Sequence, residues 1–195
     1  TKVNHVPLSS SHLGIVAEVN ELSREISAGR VKLEEAEERL EKIEKIPPKK
    51  RWFQYMAAGL ASGTFALMLG SSVSEAVAAF LIGFLSYVWV LFAGKHNLSK
   101  IIVNIVGGVI MTVLALAFMH IPFLPILKLD GMMVGAIMPM IPGVAFVNAI
   151  RDIADTDFLS GLVRMIDALL VFVYIAIGVG VTLSIYNTMM GGILR

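Results

Sequence analysis

The sequence contains no cysteine, so it offers neither a disulfide frame nor a thiolate metal site, and thiol catalysis is excluded. It is also nearly bare of charge over most of its length. Of its 16 Lys and Arg, ten lie at or before Arg51, as do nine of its 15 acids. Charged residues make up 16% of the chain, against roughly 25% in a soluble domain, while apolar residues make up 56% and the mean hydropathy is +0.78. A net charge of +1 lacks the basic surplus that neutralises phosphates, which excludes nucleic acid as a partner. His5, His12, His96 and His120 have no ligand spacing such as i,i+4, so no metal is expected. No Ser-His-Asp set and no phosphate-binding glycine loop is present, which argues against an enzyme, a cofactor or an ATP motor. No cleavable signal peptide is visible, since the long apolar stretches start after residue 51 and are too numerous. The first residue is Thr1 rather than Met, and upstream residues are expected.

What is present divides into a charged segment, 1–51, and an apolar domain, 52–195. Residues 1–7 read as the end of a strand. From 9 to 46, Leu13, Val16, Val19, Leu22 and Ile26 recur every three or four positions, as do Leu33, Ala36, Leu40 and Ile43 after Gly29. This is the stripe of an amphipathic helix, interrupted once, so a cytosolic helical hairpin is expected. Ser10 or Ser11 serves as its cap and Gly29 as its break. Pro47 and Pro48 stop the second helix, and Lys49, Lys50 and Arg51 mark a membrane boundary.

Five apolar segments follow, 52–69, 73–93, 101–119, 132–150 and 162–189, each near or above the ~20 residues that cross a ~30 Å hydrocarbon core. The expected fold class is all-α, a polytopic bundle of about five transmembrane helices in a lipid bilayer. Trp52, Phe53 and Tyr55 supply an interfacial anchor. Lys95, Lys100, Arg151 and Arg164 fall in or beside one set of short loops and only Lys128 in the other, which predicts a cytoplasmic N-terminus.

The fourth segment carries Met138-Pro139-Met140-Ile141-Pro142-Gly143 at its centre. Proline removes a helical hydrogen bond, so carbonyls from Ala136 to Met138 should be left unpaired. Such a break either is a kink repaired by neighbours or lines a wet cavity that holds ligands. Beyond it, Asn148 shares a helix face with Arg151 at i,i+3 and with Asp152 at i,i+4. Arg151 and Asp152 either gate a polar substrate or snorkel to water. On the fifth segment, Arg164 and Asp167 stand at i,i+3. Asp167 needs a partner, with Arg164 nearest and Arg151 or Asn148 within reach from the fourth helix. It either binds a substrate ammonium or coupling proton, or locks two helices together. Asn104 in the third segment reads as an interhelical hydrogen bond and a secondary site candidate. Gly59, Gly63, Gly107, Gly108, Gly178 and Gly180 read mostly as packing.

The runs 138–152 and 157–170 resemble the bacterial threonine/serine exporter family, and the segment Val19-Asn-Glu-Leu-Ser-Arg24 with Leu33-Glu-Glu-Ala36 is similar to that family's cytosolic stretch before the membrane. The resemblance implies export of threonine or serine across the bacterial inner membrane, with succinate as the alternative cargo of split members. It points to Pro139, Pro142, Gly143, Asn148, Arg151, Asp152, Gly161, Arg164 and Asp167 as the substrate pathway, although the position matching Asp167 is often Glu. It further implies that this chain is the larger subunit of a two-component form, shortened at its N-terminus, and that a second five-helix subunit is its partner. An odd helix number suits that view, since two five-helix halves take opposite orientations. A reading of another class is a membrane scaffold or receptor subunit whose hairpin docks a soluble partner.

Overall fold

In a computed structural model the chain is described over residues 13–44, 50–121 and 127–190. The expected strand end at 1–7, the caps at Ser10 or Ser11, the stop at Pro47 and Pro48, and Arg195 lie outside the described residues. Within them every regular element is helical. The chain divides into two compact units, 1–50 and 51–195.

The first unit is a hairpin of α1 (Leu13–Ser27) and α2 (Leu33–Glu44). Gly29, at φ +67, takes the left-handed conformation that ends a helix, with Gly29 N–H donating to Ile26 and Arg30 N–H to Glu25. These two bonds form a Schellman turn. Leu22, Ala36 and Ile43 are buried between the helices, with Ile15 and Val31 beside them, and Arg39 on α2 pairs with Glu25 on α1. The apolar stripe is only partly covered, because Val16, Val19, Ile26 and Leu40 remain exposed.

The second unit comprises α3 (Arg51–Met68), α4 (Val73–Lys95), α5 (Lys100–Met119), α6 (Leu129–Ile137), a 3-10 turn (Met138–Met140), α7 (Gly143–Ala154) and α8 (Phe158–Met189). The expected segments are all found, with shifted ends. The fourth begins at Leu129 rather than 132 and runs to Ala154, and the fifth starts at Phe158 rather than 162. Among the described residues, α4, α5 and α8 are long and apolar enough to cross a membrane, and α6 with α7 adds a fourth span if the bent pair counts as one. The expected first span falls short. Its 18 residues carry Arg51 and Gln54 in the first turn, which lowers its apolarity.

Glycine decides how closely these helices approach. A Cβ at Gly59 would lie 3.0 Å from the Phe80 carbonyl oxygen, and one at Gly63 3.1 Å from that of Ala76, so α3 and α4 run antiparallel in close contact. On α5, a Cβ at Gly108 would lie 2.7 Å from the Ile175 carbonyl oxygen, and one at Gly178 would overlap that of Ile105. These two contacts pinch α5 and α8 at mid-length, and the pairs Lys100–Asp167 at one end and His120–Tyr186 at the other show that the two helices run parallel. Met111, Ala115, Met132, Ala136, Val171 and Ile175 form the core between α5, α6 and α8.

Candidate functional site

The break expected in the fourth segment is real. The axes of the α6 and α7 arms differ by 61°, with Pro139 inside the 3-10 turn and Pro142 capping α7 at φ −78. One carbonyl expected to be free is not: Met138 accepts the Ile141 N–H at 3.3 Å, and Ile141 accepts that of Gly143 at 2.8 Å. Tight turns have replaced the bonds that proline removed. The 3-10 turn is seated, since the Met140 methyl occupies the space a side chain at Gly107 would need, whereas Gly143 faces open space. The break thus has one side packed on α5 and one side free.

Polar groups collect at one end of the bundle. Asp167 of α8 pairs with Lys100 at the start of α5, not with Arg164, Arg151 or Asn148 as local spacing predicts. Arg164 instead faces Asp152 of α7 at 3.3 Å, within ion-pair range but without hydrogen-bond alignment. Both pairs are partly open to the surroundings. Arg151 reaches Asp155 at 3.6 Å with both side chains exposed, which agrees with the interfacial reading of Arg151. Asn148 is exposed. Gly161 lets α7 and α8 touch, since a Cβ there would lie 2.6 Å from Ile153 Cγ1 and 2.9 Å from the Ala149 carbonyl oxygen. Asn104 is buried, but its amide donates at 2.7 Å to Lys100 of its own helix. The expected interhelical bond is therefore replaced by a local one, one turn back.

The other end carries groups that the apolar pattern hid. Glu75 is only 5% exposed; its carboxylate accepts the Ser72 N–H at 2.8 Å and the Lys128 N–H at 2.9 Å. The signal was present as Ser72-x-x-Glu75, a capping box at the start of α4. His120 Nδ1 lies 2.8 Å from the Leu116 carbonyl oxygen and must donate to it, so Nε2 of the neutral ring accepts from Tyr186 Oη at 3.1 Å. The pair joins the far ends of α5 and α8. Among the described residues no cluster of His, Asp and Glu is arranged to hold a metal ion.

Neither the curated proteins nor the solved structures gave a match to the chain. The family model described as "Putative threonine/serine exporter" matches residues 1–186. Those residues reach from the first unit through all but the last three residues of α8, so this multi-pass, all-helical membrane chain belongs to the threonine/serine exporter family.

Proposed function

We propose that the chain exports small polar metabolites, threonine and serine first, as one half of a two-subunit, gradient-driven carrier, with the α6–α7 break lining the path. The observation that carries this reading is the 61° break itself. Irregular backbone at membrane depth is tolerated where it is buried in protein or lines a wet cavity, and here Gly143 opens onto free space while Met140 is packed. Pro139, Pro142 and Gly143 shape the opening, and the first-turn amides of α7 present the positive end of a helix to an anionic group. Asn148, Arg151, Asp152, Gly161, Arg164 and Asp167 continue the path toward the charged end, with Asn104 beside it.

We read the chain as five crossings, with α3 carried across by its close packing on α4 although it falls short by itself, and with the N-terminus in the cytoplasm of a bacterial cell. The antiparallel α3–α4 contact and the Lys100–Asp167 and Arg164–Asp152 pairs place Arg51, Lys95, Lys100, Arg151 and Arg164 at one end, against Lys128 at the other. Positive charge keeps to the inner side. The exposed Val16, Val19, Ile26 and Leu40 of the hairpin favour a second reading, a scaffold that docks a soluble protein.

The deciding experiment is counterflow of labelled threonine, serine and succinate in proteoliposomes holding the chain with a second five-helix subunit. Exchange of threonine and serine alone is expected. Exchange of succinate alone would replace the cargo, and no exchange of any of the three would remove the transport reading.

A further inference from the structure

We propose that Lys100 and Asp167 are the two halves of a recognition site for a zwitterionic α-amino acid, Lys100 taking its carboxylate and Asp167 its ammonium group. This rests on the transport reading above and assigns Lys100, which no spacing rule in the sequence singled out, as a specificity-determining residue. In the absence of cargo each charge serves as the other's ligand. An entering zwitterion exchanges one protein ion pair for two protein–ligand pairs, so neither charge is left bare at any stage.

Four observations argue against a pair that merely ties two helices. The seam between α5 and α8 is already fixed by the Gly108–Gly178 pinch and by His120 with Tyr186. The pair is open, with side chains 51% and 35% exposed, whereas the glycines beneath it are buried. Lys100 is the first residue of α5, behind the Ser99 cap, where the helix dipole disfavours a cation and favours an anion. That field adds to Lys100 in attracting a carboxylate. Finally Asn104, 7% exposed, lies one turn further in on the same face of α5 and holds the Lys100 carbonyl at 2.7 Å, giving the pair a polar floor. Arg164 does not neutralise Asp167, because it is turned to Asp152. A dicarboxylate would set a second negative charge against Asp167 and is disfavoured.

The test uses the chain with its second subunit in proteoliposomes. Competitors of labelled threonine counterflow are threonine, threonine amide, which lacks the carboxylate, and N-acetylthreonine, which lacks the ammonium group. In the wild type, threonine should compete about tenfold better than either analogue, the worth of one charge-assisted contact. Lys100→Gln should make threonine and its amide equipotent, and Asp167→Asn should make threonine and N-acetylthreonine equipotent, while Lys100→Arg and Asp167→Glu keep the wild-type order. Should the neutral variants fail to fold, acylation of Lys100 in the wild type, read by mass spectrometry, decides: threonine should protect it and threonine amide should not. Unchanged competitor ratios in folded variants, or no protection, would overturn the site alone. Absence of threonine flux in the wild type would instead overturn the transport reading beneath it.

Discussion

The carboxylate of Glu75 and the backbone amide of Lys128, 53 residues apart in the chain, meet at 2.9 Å. Through this bond the start of α4 fixes the residue from which α6 departs, while the second carboxylate oxygen closes the capping box with Ser72. The α6 arm of the broken span is thereby held to the turn between α3 and α4.

Removing that acceptor should be costly. Glu75→Ala leaves two amide donors without their charged partner, and hydrogen bonds to charged groups contribute about 1.5–3 kcal/mol each. A loss of about 3–6 kcal/mol is expected, with Glu75→Gln intermediate because its amide keeps one acceptor. Thermal unfolding in detergent measures both, and an unchanged midpoint for the alanine variant would show that the clamp does not hold α6.

The glycines of α8 separate packing from composition. A Cβ at Gly178 overlaps the Ile105 carbonyl, whereas nothing lies within 4 Å of one at Gly180. Gly178→Ala should force α5 and α8 apart and lower stability by about 1–3 kcal/mol, and Gly180→Ala should be neutral or slightly stabilising. Equal behaviour of the two variants in detergent unfolding would contradict the pinch.

Proline at 142 keeps α7 from extending backward. Pro142→Ala restores a backbone donor and should let the two arms approach a continuous helix, so transport is lost while insertion and expression are kept. Wild-type counterflow by this variant would take the break out of the path, whereas a chain that shows no counterflow and loses its function on deletion of residues 9–46 would speak for the scaffold reading.

The hairpin has its own stability and its own pH response. Leu22→Ala removes the most buried large side chain between α1 and α2 and should cost about 2–4 kcal/mol, read as faster tryptic cleavage after Arg30. The hydrogen bond from Lys42 holds the Glu38 carboxyl below its ordinary value of 4.5. Its contribution is therefore complete above that value and is lost as pH falls through the lower folded one. Once the protease's own pH dependence, read on an unstructured peptide, is divided out, cleavage should be insensitive to pH from 8 to about 5 on this account, and a marked residual change across that range would point to another group.

Transport should need the second half. The purified chain alone is expected to show no saturable threonine uptake in proteoliposomes, and saturable uptake by the chain alone would exclude the two-subunit reading.

Much of this was legible in the sequence because the bilayer imposes simple patterns. Long apolar runs gave the helices, and Pro139 with Pro142 gave the break, since both follow from local backbone chemistry. Partners were less legible. Arg164 stands three residues from Asp167, yet it faces Asp152 on the neighbouring helix, while Lys100, 67 residues away, takes Asp167. Spacing reports who shares a helix face, whereas the glycine contacts of α5 and α8 decide which faces meet. Glu75 is hard to read in sequence because one carboxylate in an apolar run looks like an exception, although its capping box begins three residues upstream at Ser72. Asn104 misled in the opposite way, since a helix-borne amide can satisfy itself on its own backbone.

The 32 residues of α8 act as a depth gauge. At 1.5 Å per residue the helix is about 48 Å long, and even a tilt of 40° leaves it covering about 37 Å of depth, more than the ~30 Å hydrocarbon layer. Some of it must stand in the headgroups. About 20 residues counted back from Met189 reach Leu170, which leaves Asp167, Arg164 and the α7–α8 turn on the wet side of the boundary. A solute arriving from water would meet these charges before it met any lipid.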